Sequence, residues 1–370
     1  MPSSRLLLGL ILLASLFPLS CAKKADNTIK IGLAAVQTGP DGQIGKTMLQ
    51  GSQIAIDEWN ARGGVLGKKI VTVWRDDEGR PDKAVTVAQE LVNEGVVAVI
   101  GHFNSGCTLP ASAIYSRNNV LQITMSNNSK ITEQGFPALF RIDGKDSQQG
   151  DVIAPFLLKK LGLTRLAIFH DKTAFGEHLA EQIQKSFIAG GGQVVLLNGI
   201  SKTELDFRSN IALLKNSPAQ ALYWAGIYGQ LGPLIVQMRQ AGLTIPVASC
   251  SAVLSTVLLN ALGNNTNDFY LTYGPDFPRL PAARTFINDY HAKYGPEGSF
   301  SGYGYAAMQV LLDSIQKAGT ADASLVAPII HNQTFPTILG PIAFNTNGDR
   351  VDNEYAIWTI KNGAFVPLPQ

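Results

Sequence analysis

Short apolar runs alternate with helix-length segments twice along this chain, and that alternation narrows the fold more than any other feature. Residues 28–35, 70–74, 96–100 and 120–125 read as strands. Helices fit between them, one ending near Arg62, one over 81–93 and one from about Thr108 to Arg117. Gly63 and Gly64 stop the first of these, and Pro81 stands at a helix start, where its missing N–H costs nothing. The pattern then restarts, with strands at 165–170, 193–198 and 219–224 and helices at 175–189, 207–214 and 231–241. Strand–helix alternation of this kind gives the α/β class, here two lobes with doubly wound parallel sheets. The last third adds helices at 281–294 and 302–318, strands at 342–344 and 354–361, and an Asn362-Gly363 hairpin turn. These pieces are too few for a third core. They must complete the first two lobes, so the chain crosses between lobes more than twice.

The stretch VVAVIGHFNSGCTLPASAIY, residues 96–115, concentrates the chemistry. A buried strand, a turn of small and polar residues and a helix start make an anion site, because the first N–H groups of a helix lack partners and carry partial positive charge. Ser105 can cap that helix, donate its hydroxyl to a ligand carboxylate, or do both.

A chain of 370 residues has room for two cores, and 45% hydrophobic with 16% charged residues marks an ordered globular protein. The net charge of +2 gives no electrostatic footprint for nucleic acid. At the N-terminus, Arg5 precedes an apolar run of 12 residues, Leu6 to Phe17, too short to span a bilayer. Small or apolar residues leading to Cys21 resemble a lipoprotein signal cleaved before that cysteine, with Pro18 where leucine is usual; an ordinary secretory signal is the alternative. Residues 1–20 are then a signal peptide and 21–27 a lipid-anchored tether, which places the protein in the periplasm or at the cell surface. Cys107 and Cys250 are far apart in sequence and are expected to be free.

Ligands of open α/β sheets bind beyond the carboxyl ends of the strands. That rule selects 101–105, 125–129, 171–175, 225–228 and 249–251, which carry mostly small or polar residues. Enzyme readings are weak. GHFNSG has Phe103 where a nucleophile elbow needs glycine, and Gly302-x-Gly304 has no preceding strand, so those glycines serve close helix packing. His170, Glu177 and His178 lack companions for a metal site. Neither an enzyme activity nor a cofactor is expected.

Several segments, in order along nearly the whole mature chain, resemble the leucine/isoleucine/valine-binding protein family. They are GSQIAIDEWNARGGVLGKKI at 51–70, DDEGRPDKAVTVAQELV at 76–92, IGHFNS with LPASAIY, GKDSQQG at 144–150, FHDKTAFGE at 169–177 and ILGPIAFNTNGD at 338–349. The resemblance implies a type I periplasmic solute-binding protein with two Rossmann-like lobes, three hinge crossings and a ligand between them. Residues 28–146 with 276–350 would form one lobe, and 147–275 with 351–370 the other. The partners implied are a small ligand and the permease and ATPase of an ABC importer, with a membrane reached only through the anchor and the protein itself monomeric.

Carried onto this sequence, the family's carboxylate-binding serine is Ser105, followed by Ser126 and Asn127 after the next strand. Asp146 keeps the hinge-segment acid, Phe175 replaces a tyrosine, and Ile227 beside Tyr228 takes an aromatic position. The glutamate that pairs with a ligand ammonium falls on Ser251, and the family's disulfide positions fall on Glu78 and Asn104. Phe103, Phe175, Ile227 and Phe300 would make the pocket apolar, and Asn104 is counted among its ligand-binding residues. An unpaired buried ammonium costs several kcal/mol. The ligand is therefore either a neutral, branched-chain or other aliphatic amino acid, its ammonium met by Asp146 and neutral acceptors, or a small carboxylate or amide without the amine, such as an oxo or aromatic acid. A ligand-sensing receptor domain on the same fold is a further alternative.

Overall fold

The structure is a computed structural model that describes residues 27–351 and 355–369; the signal peptide, Cys21 and most of the tether lie outside the described residues. Two sheets divide the chain. The first holds β1 (Thr28–Ala35), β2 (Lys69–Asp76), β3 (Ala98–Gly101), β4 (Leu121–Thr124) and β5 (Leu139–Arg141) in the order β2-β1-β3-β4-β5, every pair parallel. Its helices are α1 (Gly42–Ala61), α2 (Pro81–Asn93) and α3 (Ser105–Arg117). The chain then passes to the second lobe, which opens with α4 (Asp146–Pro155). There β6 (Arg165–His170), α5 (Ala174–Ala189), β7 (Gln193–Gly199), α6 (Arg208–Lys215), β8 (Ala221–Ala225), α7 (Tyr228–Gln240), β9 (Val247–Ser249), α8 (Thr256–Leu262) and β10 (Phe269–Tyr273) follow.

After β10 the chain returns to the first lobe as α9 (Arg284–Tyr294), α10 (Ser301–Ala318) and α11 (Ala323–Asn332) with the small hairpin β11 (Phe335–Thr337) and β12 (Gly340–Ile342). It crosses a third time to add β13 (Ala356–Lys361) and β14 (Ala364–Pro367), antiparallel, at the edge of the second sheet, whose order is β14-β13-β10-β9-β8-β6-β7. Asn362 and Gly363 form the turn of that last hairpin, both with positive φ, as the sequence predicts. The expected strand at 342–344 instead ends at Ile342, and Phe344 makes an isolated antiparallel bridge to Arg350 where the chain turns back on itself.

The first lobe is held by α10 lying directly on α1. A Cβ on Gly51 would sit 1.9 Å from the Ser301 carbonyl oxygen, and one on Gly304 would sit 1.9 Å from that of Met48. The paired glycines thus let the two backbones touch, and the Ser52 hydroxyl donates to the Gly304 carbonyl at 2.9 Å. Burial of the apolar faces on both sides of each sheet supplies the main driving force, at about 25 cal/mol per Å². Cys107 and Cys250 are both free and buried.

Candidate functional site

The β3–α3 turn is fixed from below. Gly101 has φ +140°, and a Cβ there would lie 1.9 Å from the Ala34 carbonyl oxygen, so only glycine fits against β1. His102 is fully buried, its Nδ1 2.6 Å from Asp77 Oδ2 and its Nε2 3.0 Å from the Tyr115 hydroxyl. This chain of side chains anchors the turn to the residue that follows β2 on one side and to α3 on the other. The helix begins at Ser105, three residues earlier than the sequence suggests, because the Asn104 carbonyl accepts from the N–H groups of Cys107 and Thr108. Ser105 is therefore the first helical residue and not the cap. Its hydroxyl is buried and has no hydrogen-bond partner.

The loop after β4 is committed more deeply than the sequence reveals. Ser126 Oγ is 2.6 Å from Thr108 Oγ1 and donates to the Phe103 carbonyl at 2.8 Å, so its hydroxyl ties this loop to the β3–α3 turn. Asn127 sends its side-chain N–H groups to Asp143 Oδ2 at 2.9 Å, the Gly144 carbonyl at 2.6 Å and the Tyr355 hydroxyl at 3.2 Å, all beside the hinge crossings. Arg141, fully buried, donates from Nη1 to the carbonyls of Ser126 at 2.7 Å and Asn128 at 2.9 Å. The same guanidinium reaches Thr132 Oγ1 and Asp349.

The second lobe supplies the facing wall. Thr173 caps α5 by accepting from the Gly176 N–H at 3.0 Å, which brings Phe175 into its first turn. Ile227 precedes α7, and its carbonyl accepts from Trp224 Nε1 at 3.1 Å. The Ser251 N–H donates to Gln149 Oε1 at 3.0 Å, while its hydroxyl faces the Tyr355 hydroxyl without a hydrogen bond of good geometry. Asp146 is fully buried with Oδ2 2.8 Å from His178 Nδ1; burial pushes its carboxyl above the usual range, and the His178 bond opposes that shift. The backbone N–H of Asp146 donates to the Asn127 carbonyl at 3.0 Å, so this wall meets the first lobe at the hinge.

The two walls touch. Asn128 Nδ2 donates to the Ala174 carbonyl at 2.8 Å, and the Tyr228 hydroxyl donates to the Pro40 carbonyl at 3.3 Å. A Cβ on Gly106 would sit 3.7 Å from that of Ala174. The cleft is thus closed over the start of α3. Phe103 and Phe300 stack edge to face at 5.0 Å and form an apolar floor, and Phe103, Phe175 and Ile227 are buried with only slight exposure. Of the expected residues, Phe103, Asn104 and Ser105 lie at the start of α3 and Phe175 at the facing start of α5, Ile227 and Tyr228 lie at the start of α7, where the tyrosine reaches Pro40, and Asn127, Asp146 and Ser251 lie at the hinge side. Sequence reasoning missed Arg141 and Tyr355, and it selected the stretch 125–129 without singling out Asn128. Only Arg141 carries a signal, a cation set between the apolar Phe140 and Ile142.

Among the described residues, no group of three or more His, Cys, Asp or Glu side chains is arranged to hold a metal ion, and no helix is long and apolar enough to cross a membrane.

Comparison with known proteins agrees with the two-lobed fold. The sequence pattern of a periplasmic binding protein family matches residues 28–364. A Leu/Ile/Val/Thr-binding protein of Salmonella typhimurium is 33% identical over 353 residues, covering 95% of this chain and 96% of the relative. The crystal structure of a leucine-binding protein from Thermotoga maritima superposes with a TM-score of 0.86 at 27% identity, covering 92% of this chain and 98% of the other. A solute-binding protein of an ABC transporter from Rhodopseudomonas palustris, in complex with 3,4-dihydroxybenzoic acid, shares the fold with a TM-score of 0.81 at 24% identity, covering 92% and 96%.

Proposed function

The chain belongs to the periplasmic binding protein family, and on that premise we propose that it captures a small neutral amino acid, branched-chain or otherwise aliphatic, between its lobes. Its role as the solute-binding component of an ABC importer follows the family, and that role is binding rather than catalysis. A lipid on Cys21 would hold the monomer at the membrane, where the permease and ATPase receive the closed form.

One observation carries the reading: the Ser105 hydroxyl is buried in a closed cleft, at the start of α3, with nothing in the protein to bond. A buried hydroxyl without a partner costs roughly 1–3 kcal/mol, and a ligand carboxylate at that helix start removes the cost. The ligand docks on the first lobe through Ser105 and the free N–H groups of the first turn of α3. Its side chain lies on Phe103 and Phe300. The second lobe then closes with Phe175, Ile227 and Tyr228 and excludes water. Asp146 Oδ1, which has no hydrogen-bond partner of good geometry, and the Ser251 hydroxyl lie at the amine end.

A second reading is a carboxylate without the amine. It is favoured by the His178 bond to Asp146, which already compensates that carboxylate, and by Ser251 at the position where the family resemblance expects glutamate. Calorimetry with leucine, valine and their 2-oxo acids separates the two. Binding of the amino acids alone supports the first reading; binding of the oxo acids with none from the amino acids rejects it.

A further inference from the structure

At the mouth of the cleft a charge from each lobe meets. Lys202 Nζ, in the loop between β7 and α6, is 2.6 Å from Asp41 Oδ2, in the loop between β1 and α1. The Asp41 side chain is only 5% exposed and that of Lys202 39%. The lysine is held in place from its own lobe, because Gln230 Nε2 donates to the carbonyls of Ser201 at 2.7 Å and Glu204 at 2.9 Å. Asp41 also faces the start of α7. A Cβ on Gly229 would lie 3.4 Å from Asp41 Oδ1, and no side chain of the second lobe caps that helix. One carboxylate of the first lobe thus meets both an ammonium and the positive end of a helix from the second.

We propose that Asp41 and Lys202 form an electrostatic latch that holds the lobes closed and sets ligand affinity without touching the ligand. The attraction exists only when the lobes meet, so it adds to the closed state whatever the cleft contains. It is also reversible. Asp171, on the same lobe as Lys202, lines the same small cavity and offers the lysine a second carboxylate when the lobes part. A pair with one partner partly exposed is a modest bond, worth about fivefold in the closing equilibrium, and added salt screens it. The proposal rests on the reading of the cleft as a ligand site that closes.

The test uses small-angle scattering from the ligand-free full chain at low and high salt, as wild type, Lys202→Met, Asp41→Asn and the double variant. The expected result is a larger radius of gyration in each single variant at low salt, equal to that of the double, with salt expanding the wild type alone. Equal radii for wild type and variants at low salt overturn the latch. With leucine as probe, Lys202→Met weakens binding about fivefold through faster dissociation. If leucine fails to bind the wild type while the radii behave as expected, the proposed ligand is wrong and the latch stands.

Discussion

Arg141 Nε donates to Asp349 Oδ1 at 2.9 Å across 208 residues of chain, and both side chains are buried. The pair joins the last strand of the first sheet to the segment that leads into the third crossing, while the other nitrogens of Arg141 hold the loop after β4. Burial alone would push the Asp349 carboxyl up, but Arg141 and the Thr132 hydroxyl outweigh it and hold the carboxyl below its usual range.

Arg141→Leu should therefore destabilise the protein by about 3 kcal/mol in urea denaturation at neutral pH, because it leaves the buried Asp349 carboxylate with Lys145 alone as a cation, 3.2 Å from Oδ2, and frees the Ser126 and Asn128 carbonyls. Arg141→Leu with Asp349→Leu should recover part of that loss. The pair contributes stability above the ordinary carboxylate pKa of about 4, and that contribution is lost as pH falls through the depressed folded value. The penalty of Arg141→Leu should shrink on acidification, and a penalty constant with pH would show that packing rather than charge sets it.

The two serines of the site should separate. Ser105→Ala removes a hydroxyl with no internal partner, so the melting temperature should hold or rise slightly while affinity for the amino acid falls about tenfold or more. Ser126→Ala removes the bonds to Thr108 and Phe103 and should cost about 1 kcal/mol of stability. Thermal melts and calorimetry on the two variants check both halves; equal loss of stability in the two would contradict the assignment of Ser105 to the ligand.

Much of the frame was legible because strand and helix periods are local properties. The run at 28–35, the helix at 81–93 and the strand at 165–170 appear as read, and of the two glycines expected to allow close helix packing Gly304 meets α1 while Gly302 makes room for the Phe277 ring. Strands β5, β9 and β10 were not legible. β5 and β9 have three residues each and are specified by neighbours in the sheet rather than by their own pattern. The start of α3 was misplaced because its cap is a backbone carbonyl, that of Asn104, and no residue type announces that. At the site, the strand–turn–helix pattern could locate Ser105 and the family resemblance Ser126, but neither could show that one hydroxyl is free and the other used. Long-range partners decide that: Thr108 Oγ1 for Ser126, and Tyr355 and Asp143 for Asn127.

Asp143 gives the hinge a pH dependence of opposite sign to that of Asp349. Burial raises its carboxyl to about 6, against bonds from Asn127 and the Gly144 N–H. A carboxyl that holds its proton more tightly when folded adds stability below its unfolded pKa of about 4, and this is lost as pH rises through about 6, on the order of 3 kcal/mol in all. Urea midpoints should fall across that window in the wild type and fall less in Asp143→Asn, which cannot ionise. The same slope in both proteins would assign it to another group.

On the proposed reading of the cleft, the residue at position 251 should decide whether an amine is required. The Ser251 N–H is held by Gln149 and its hydroxyl faces Tyr355, so a longer acidic side chain would enter a buried setting with a neutral amide, a tyrosine and the Asp146 carboxylate near it, the last already paired with His178. Ser251→Glu should thus lower the melting temperature of the ligand-free protein, since an unpaired buried carboxylate costs several kcal/mol or stays protonated. A ligand ammonium supplies the missing charge, and an oxo acid adds a second negative group instead. Leucine should recover the lost melting temperature and gain about tenfold or more over its 2-oxo acid relative to the wild type. If both ligands weaken equally, Ser251 lies away from the amine end, and the charge that meets an ammonium must be sought at Asp146.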